Sequence, residues 1–198
     1  MLRIASIVRP GLAPTSFSLS DGECVALSGP SGSGKSLLLR AIADLDPNDG
    51  EAYLDDTPRS EMQAPEWRRQ VTYLPAEPGW WAERAGDHFT DIAATEALAA
   101  RLGLPDDVLK APVSRLSTGE RQRLALIRCL GVDPKFLLLD EPTAALDPES
   151  CKVVETLLEE VRQKGTGILW VTHDADQAKT VAARRFNMTK GELREVAA

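Results

Sequence analysis

The sequence predicts an α/β fold with a mainly parallel sheet, and three observations carry that prediction. Short apolar runs alternate with stretches of helical periodicity, the pattern of strands joined by crossover helices. The run Phe136-Leu-Leu-Leu139 is apolar on both faces, as a central parallel strand covered by helices must be. A Gly/Ser-rich stretch leads from the apolar run Val25-Ala-Leu27 into residues of helical spacing, giving strand, loop and helix in succession.

The elements follow in order. Val25 to Leu27 is a buried strand, and Leu37, Leu38, Ala41 and Ile42 place a helix directly after the loop. Val71 to Leu74 is a second strand, and Phe136 to Leu139 a third. Asp147, Pro148 and Glu149 read as an N-cap, a first-turn proline and an acidic first turn. The helix they open carries Val153, Val154, Leu157, Leu158 and Val161 on one face, and Gly165 or Gly167 closes it. Ile168 to Val171 is a fourth strand. Phe186 to Thr189, Lys190-Gly191 and Leu193 to Val196 form an antiparallel terminal hairpin. Pro78 to Arg115 differs, being rich in alanine and charge, with weak helical periodicity at Leu98, Leu102 and Leu109. It reads as a small helical lobe, residues 78–115, inserted into an α/β core of residues 1–77 and 116–198.

A length of 198 residues suits one domain. A formal net charge of −7 argues against a general nucleic-acid binder. Cys24, Cys129 and Cys151 are too scattered for a disulfide framework or a zinc site, which fits a reducing cytosol. No apolar run approaches the roughly 20 residues of a membrane span, and Met1 to Pro10 does not read as a secretion signal. Any membrane connection is therefore expected through a partner.

Gly29-Pro-Ser-Gly-Ser-Gly34-Lys35-Ser36 fits the G-x-x-x-x-G-K-[ST] phosphate loop. Its glycines let the backbone wrap phosphate oxygens where a Cβ would collide. The residues from Gly29, Pro30, Ser31, Gly32, Ser33 and Gly34 onward to Leu37 surround the anion, all but Pro30 offering a backbone N–H, and the helix N-terminus adds positive potential. Lys35 supplies a full charge for the β- and γ-phosphates and Ser36 a hydroxyl for Mg²⁺. Asp140 and Glu141 end the third strand, at the edge where α/β ligands bind. Asp140 suits the metal's water shell, and Glu141 the attacking water.

Between these sites lies Leu116-Ser-Thr-Gly-Glu-Arg-Gln-Arg123, which resembles the signature motif of the ATP-binding cassette (ABC) ATPase family. The same residues also have capping-box spacing, Ser117 with Glu120. Ala144-Ala-Leu-Asp147 resembles the family's D-loop, and His173 in Trp170-Val-Thr-His173-Asp174 resembles its switch histidine. Asp174 and Gln177 have capping-box spacing for the next helix. The resemblance implies a phosphate-loop NTPase core of ABC type that binds MgATP. It implies a homodimer in which Ser117, Gly119 and Asp147 of one chain cover nucleotide bound by the other. It further implies ATP hydrolysis with Glu141, His173 and Lys35 as catalytic groups, coupled to a separate membrane permease from the cytoplasmic face. The compact length is similar to small bacterial subunits, some linked to iron or other metal export. The alternatives are a soluble non-transport cassette and a weakly hydrolysing nucleotide-binding module.

The chain departs from the family pattern in three places. Ala76 stands where a metal-reaching glutamine is usual, so water or Glu77 must take its place. Thr118 replaces the first signature glycine. No aromatic precedes Phe17 to stack on adenine, leaving Arg9 or Pro10 for that role. Trp80 and Trp81 open the lobe beside Ala76 and are candidates either for lobe packing or for anchoring the permease.

Overall fold

A computed structural model describes residues 1–196. Its centre is a six-stranded sheet of order β10-β9-β3-β8-β7-β6, made from Glu192–Val196, Arg184–Thr189, Cys24–Ser28, Gly167–Val171, Phe136–Asp140 and Val71–Leu74. Every pairing is parallel except that of β9 with β10. All five residues of β7 and of β8 are buried, the result expected of strands covered on both faces. Alternation sends Val25, Leu27, Phe136, Leu138, Leu169 and Val171 to one core. Cys24, Ala26, Leu137, Leu139, Ile168 and Trp170 face the other.

Helix α1, Lys35–Ile42, covers the first face together with an antiparallel sheet of order β2-β1-β4-β5. Those strands are Leu12–Leu19, Leu2–Arg9, Asp49–Leu54 and Thr57–Pro58. The period-two pattern does not reveal them. In β1 the register slips between Ile4 and Ile7, where Ser6 takes φ 53°, so Ile4 and Ile7 both reach the core from positions three apart. In β2 the buried residues Leu12, Thr15 and Leu19 are likewise out of phase. Helix α2, Ala64–Gln70, is also unmarked by periodicity and is fixed by one side chain. Trp67 is fully buried and its Nε1–H donates to the Ile42 carbonyl at 2.9 Å.

The second face carries α4 (Thr118–Leu130), α5 (Pro148–Gln163) and α6 (Ala175–Val181). Asp147 caps α5 as its sequence suggests, accepting from the backbone N–H groups of Glu149 and Ser150. Gly165, at φ 109°, closes that helix. Gly167 instead belongs to β8, where a Cβ would lie 2.5 Å from the Phe136 ring. Asp174 caps α6, but the reciprocal half of the capping box is not made. Gln177 bonds Thr143 and Glu155 instead.

Residues 78–115 are less helical than their composition implies. One α-helix, α3 at Ile92–Arg101, is joined by short 3₁₀ turns. Ala85 N–H to Ala111 O and Val113 N–H to Glu83 O tie the two ends of the segment together. Its buried residues, among them Ala99, Leu102 and Leu109, continue into the core around Leu124 and Ile127 of α4.

The first turn of the antiparallel sheet is bolted to α1 by Asp46. Its carboxylate accepts from Arg9 at 2.6 Å and from Arg40 at 2.7 Å through two bonds. The Arg40 and Arg9 guanidiniums hold the Asp46 carboxyl well below the usual carboxylate range. A depressed folded-state pKa contributes stability above the unfolded value near 4, lost as pH falls through the folded one. The Arg40 arm is 42% exposed and screened by water. We expect Asp46→Asn to cost about 1–2 kcal/mol at neutral pH. The gap from the unmodified chain should close as the pH is lowered below about 4, measured by urea unfolding; a gap of constant size across that range would refute the assignment.

Candidate functional site

Parallel pairing in the order β3-β8-β7 brings three strand ends side by side. The loop from Gly29 follows β3, Thr172 and His173 follow β8, and Asp140 with Glu141 ends β7. Two ladder-like bonds extend the alignment beyond the strands, Thr172 N–H to Leu27 O at 3.2 Å and Glu141 N–H to Val171 O at 3.1 Å. The C-terminal edge of the sheet thus gathers the residues predicted from sequence to handle phosphate.

The loop is held in shape from outside. Gly29, at φ 142°, lies so close to β9 that a Cβ would sit 2.2 Å from the Met188 carbonyl oxygen. Gly34, at φ 109°, precedes α1 and presses on Met188 Sδ and Gly11 O. Gly191, in the β9–β10 turn, donates to Ser33 O at 2.8 Å and accepts from Ala13 N–H. The terminal hairpin and the β1–β2 turn therefore form a cradle under the loop. No side chain caps α1, so its first N–H groups have no intrahelical acceptor and stand ready for an anion. Lys35 is buried and donates to Gly29 O at 2.8 Å and Pro30 O at 3.1 Å, which places its ammonium within the curve of the loop. Ser33 Oγ is buried without a partner. Pro30, Ser31, Gly32 and Ser36 are exposed, and Leu37 is half-buried beside Gly11.

Glu141 adopts φ 51°, a left-handed conformation costing a glutamate on the order of 1 kcal/mol. That turn aims its carboxylate at His173, with Nδ1 3.3 Å from Oε2. The His173 side chain is 67% exposed and Glu141 30%, so the pair faces solvent at the edge. Asp140, by contrast, is buried, and its Oδ2 accepts a hydrogen bond from the Tyr73 hydroxyl at 3.0 Å. Burial, then the Asp140 charge, push the Tyr73 phenol well above its ordinary pKa, so it remains a donor. Sequence reasoning missed Tyr73. Its only signal is that it shares the alternation of Val71 on the α1 face.

Ser117 and Gly119 sit elsewhere. Ser117 caps α4 in a full capping box. Its Oγ accepts from Glu120 N–H at 3.2 Å, and Glu120 Oε2 accepts from Ser117 N–H at 2.7 Å and from Oγ at 2.8 Å. Gly119 abuts the D-loop, where a Cβ would lie 3.1 Å from Ala145 O and from Leu146 Cδ2. Ser117, Gly119 and Asp147 thus belong to one edge. Among the described residues, no hydrogen bond or ion pair joins that edge to the phosphate loop of the same chain.

The departures from pattern also find their places. Ala76 is exposed and carries only a methyl group. Arg9 is taken up by Asp46 and only 18% exposed, which removes it as an adenine platform. Pro10, beside it, is exposed at the turn that touches the loop. Trp80 and Trp81 meet the His88 ring at 4.7 and 4.6 Å, and the Arg128 guanidinium lies over both. Trp80 is partly buried in the core, whereas Trp81 is 73% exposed.

Oxygen donors at the site, the Ser36 hydroxyl and the Asp140 carboxylate, suit a hard divalent cation that keeps several waters. Among the described residues, no group of three or more His, Cys, Asp or Glu could hold a metal ion by itself.

The family profile described as ABC transporter matches residues 12–144. The "Probable iron export ATP-binding protein FetA" of Escherichia coli (strain K12) is 36% identical over 173 residues, 81% of this chain and 77% of that protein. The phosphate import ATP-binding protein PstB 2 of Natronomonas pharaonis is 36% identical over 210 residues, 93% of this chain and 73% of that protein. Among solved structures, an ATP-binding subunit of an ABC transporter matches with TM-score 0.87 and 22% identity, over 99% of this chain and 90% of that one. A dimeric cassette in a post-hydrolysis state bound to ADP and Pi matches with TM-score 0.84 and 22% identity, over the whole of both chains. The solved structures share the fold. The profile match and the relatives' identity place the chain in the ABC transporter family, as one of its ATP-binding, ATP-hydrolysing subunits.

Proposed function

We propose that the chain holds MgATP on the loop from Gly29 to Leu37 and hydrolyses it when a second copy closes over the nucleotide. The observation that carries this reading is the convergence of an uncapped helix start, Lys35, Asp140 and the Glu141–His173 pair on three adjoining strand ends. Backbone N–H groups and Lys35 bind the β- and γ-phosphates. Ser36 and Asp140 are the residues that would hold magnesium. Held there, the metal would supply neutralisation of the negative charge on the phosphates. Glu141 orients the attacking water and takes its proton. His173, steadied through Nδ1 by Glu141, presents its other nitrogen to the terminal phosphate and stabilises charge there. Ser117 and Gly119 of the second copy supply the remaining donors, with Asp147 at the dimer contact.

Opening and closing of this dimer drives a membrane permease in a separate chain, which places the subunit on the cytoplasmic face of the membrane. Among the described residues, no helix is long and apolar enough to cross a membrane. Relatives at the same identity are named for probable iron export and for phosphate import, so we assign cargo and direction to the permease. The exposed Trp81, next to the Ala76 segment, is the proposed contact with it, and the part of the lobe near residues 76–90 transmits the movement.

Two experiments test the reading. Glu141→Gln should reduce ATP turnover at least about 100-fold and, with MgATP, shift the protein to a dimer in size-exclusion chromatography. Equal turnover in variant and wild type would leave only a nucleotide-binding module. Trp81→Ala should keep the ATPase rate of the isolated subunit and lose co-purification with the permease from detergent-solubilised membranes. Trp80→Ala should instead lower thermal stability. Retention of the membrane protein by Trp81→Ala would remove this tryptophan from the interface, and recovery of ribosomes or DNA in its place would favour a soluble cassette.

A further inference from the structure

We propose that Tyr73 is a positioning residue for Asp140, fixing the carboxylate that holds the metal in the reading above, on which this inference rests. Strand β6 lies at the sheet edge beside β7, with Tyr73 paired to Leu138, two residues before Asp140. Side chains two apart share a face, so the Tyr73 phenol and the Asp140 carboxylate both project toward α1, the helix that begins with Lys35 and Ser36. The phenol donates to Oδ2 at 3.0 Å. No other side-chain hydrogen bond to Asp140 is made among the described residues, which leaves Oδ1 for the metal's water shell.

A carboxylate can turn about its Cβ–Cγ bond, a broad torsion with no strong preference of its own. One donor on one oxygen sets the plane of the group and distinguishes its two oxygens. The constraint matters more here than where a glutamine follows β6, because Ala76 offers the metal nothing. Tyr73, three residues earlier and on β6 itself, is the side chain through which that segment reaches the site. It does so indirectly, through the aspartate. Its hydroxyl also gives a buried carboxylate a partner it would otherwise lack.

The test is Tyr73→Phe, which keeps the ring and removes only the donor. Binding of a non-hydrolysable ATP analogue is measured in EDTA and then across a Mn²⁺ titration, with bound Mn²⁺ read by electron paramagnetic resonance. We expect unchanged analogue affinity in EDTA and a requirement for roughly three- to tenfold more Mn²⁺. In an Asp140→Asn background, which should itself lose most of the metal dependence, Tyr73→Phe should add nothing. A Mn²⁺ titration superimposable on wild type overturns the proposal. So does an equal loss of affinity in EDTA, which would mark a structural role, or the same fold-loss with Asp140 already replaced. If Asp140→Asn leaves the metal dependence intact, the assignment of Asp140 itself fails, and Tyr73 falls with it.

Discussion

The close approach of Gly29 and Gly34 to the C-terminal hairpin is the constraint on which the rest of the site depends. A phosphate loop needs its N–H groups turned inward, and a loop so rich in glycine loses much conformational entropy in holding that shape. Here the shape is imposed by contact. The Met188 carbonyl leaves no room for a side chain at residue 29, and Gly191 holds Ser33 by a backbone hydrogen bond. The hairpin's Met188 lies 159 residues after Gly29 in sequence and is brought under the loop by the parallel pairing of β9 with β3. The anion site is thus a property of the whole sheet and not of an eight-residue motif.

This explains what the sequence made legible. Motifs with a fixed local mechanism were readable: the loop, the capping box at Ser117, the cap at Asp147 and the acidic end of β7. Each depends on residues a few positions apart, and the structure has them locally as expected. The parts that escaped depend on long-range contacts or on broken periodicity. The antiparallel sheet was hidden because the slip near Ser6 places successive core residues three apart. Tyr73 meets Asp140 across 67 positions, and Gln177 forgoes its local cap for Thr143 and Glu155. Arg9 had a free guanidinium on paper. Asp46, 37 positions away, occupies it.

The same distinction bears on the replaced glutamine. Position 76 lies beyond the last strand residue and is exposed, so its identity affects no packing. Substitution there is structurally inexpensive, whereas Asp140 sits in a strand buried at all five positions. A site built this way can lose an outlying ligand and retain the one set in its framework.

The second edge has the same logic. The capping box satisfies the Ser117 and Glu120 N–H groups, which leaves those of Thr118 and Gly119 without intrahelical acceptors. The N-terminus of α4 therefore keeps two N–H groups beyond those its cap satisfies, and it lies so close to the D-loop that a Cβ at Gly119 would come within 3.1 Å of Ala145 O and Leu146 Cδ2. A larger residue there would push Ala145 and Leu146 away and shift the segment that Asp147 anchors to α5. Signature and D-loop consequently form one packed surface. In the proposed dimer, a partner's terminal phosphate would meet both at once, so closure couples phosphate recognition to the position of α5. Glu120 remains hydrogen-bonded to the Ser117 hydroxyl, and burial among its neighbours does not prevent its carboxyl from being held below the ordinary range by that backbone and hydroxyl pair. For the hydroxyl to turn toward phosphate it must leave that carboxylate. In the proposed dimer, that exchange of one anion for another would make the serine responsive to an arriving triphosphate, while the helix it caps keeps its backbone bond.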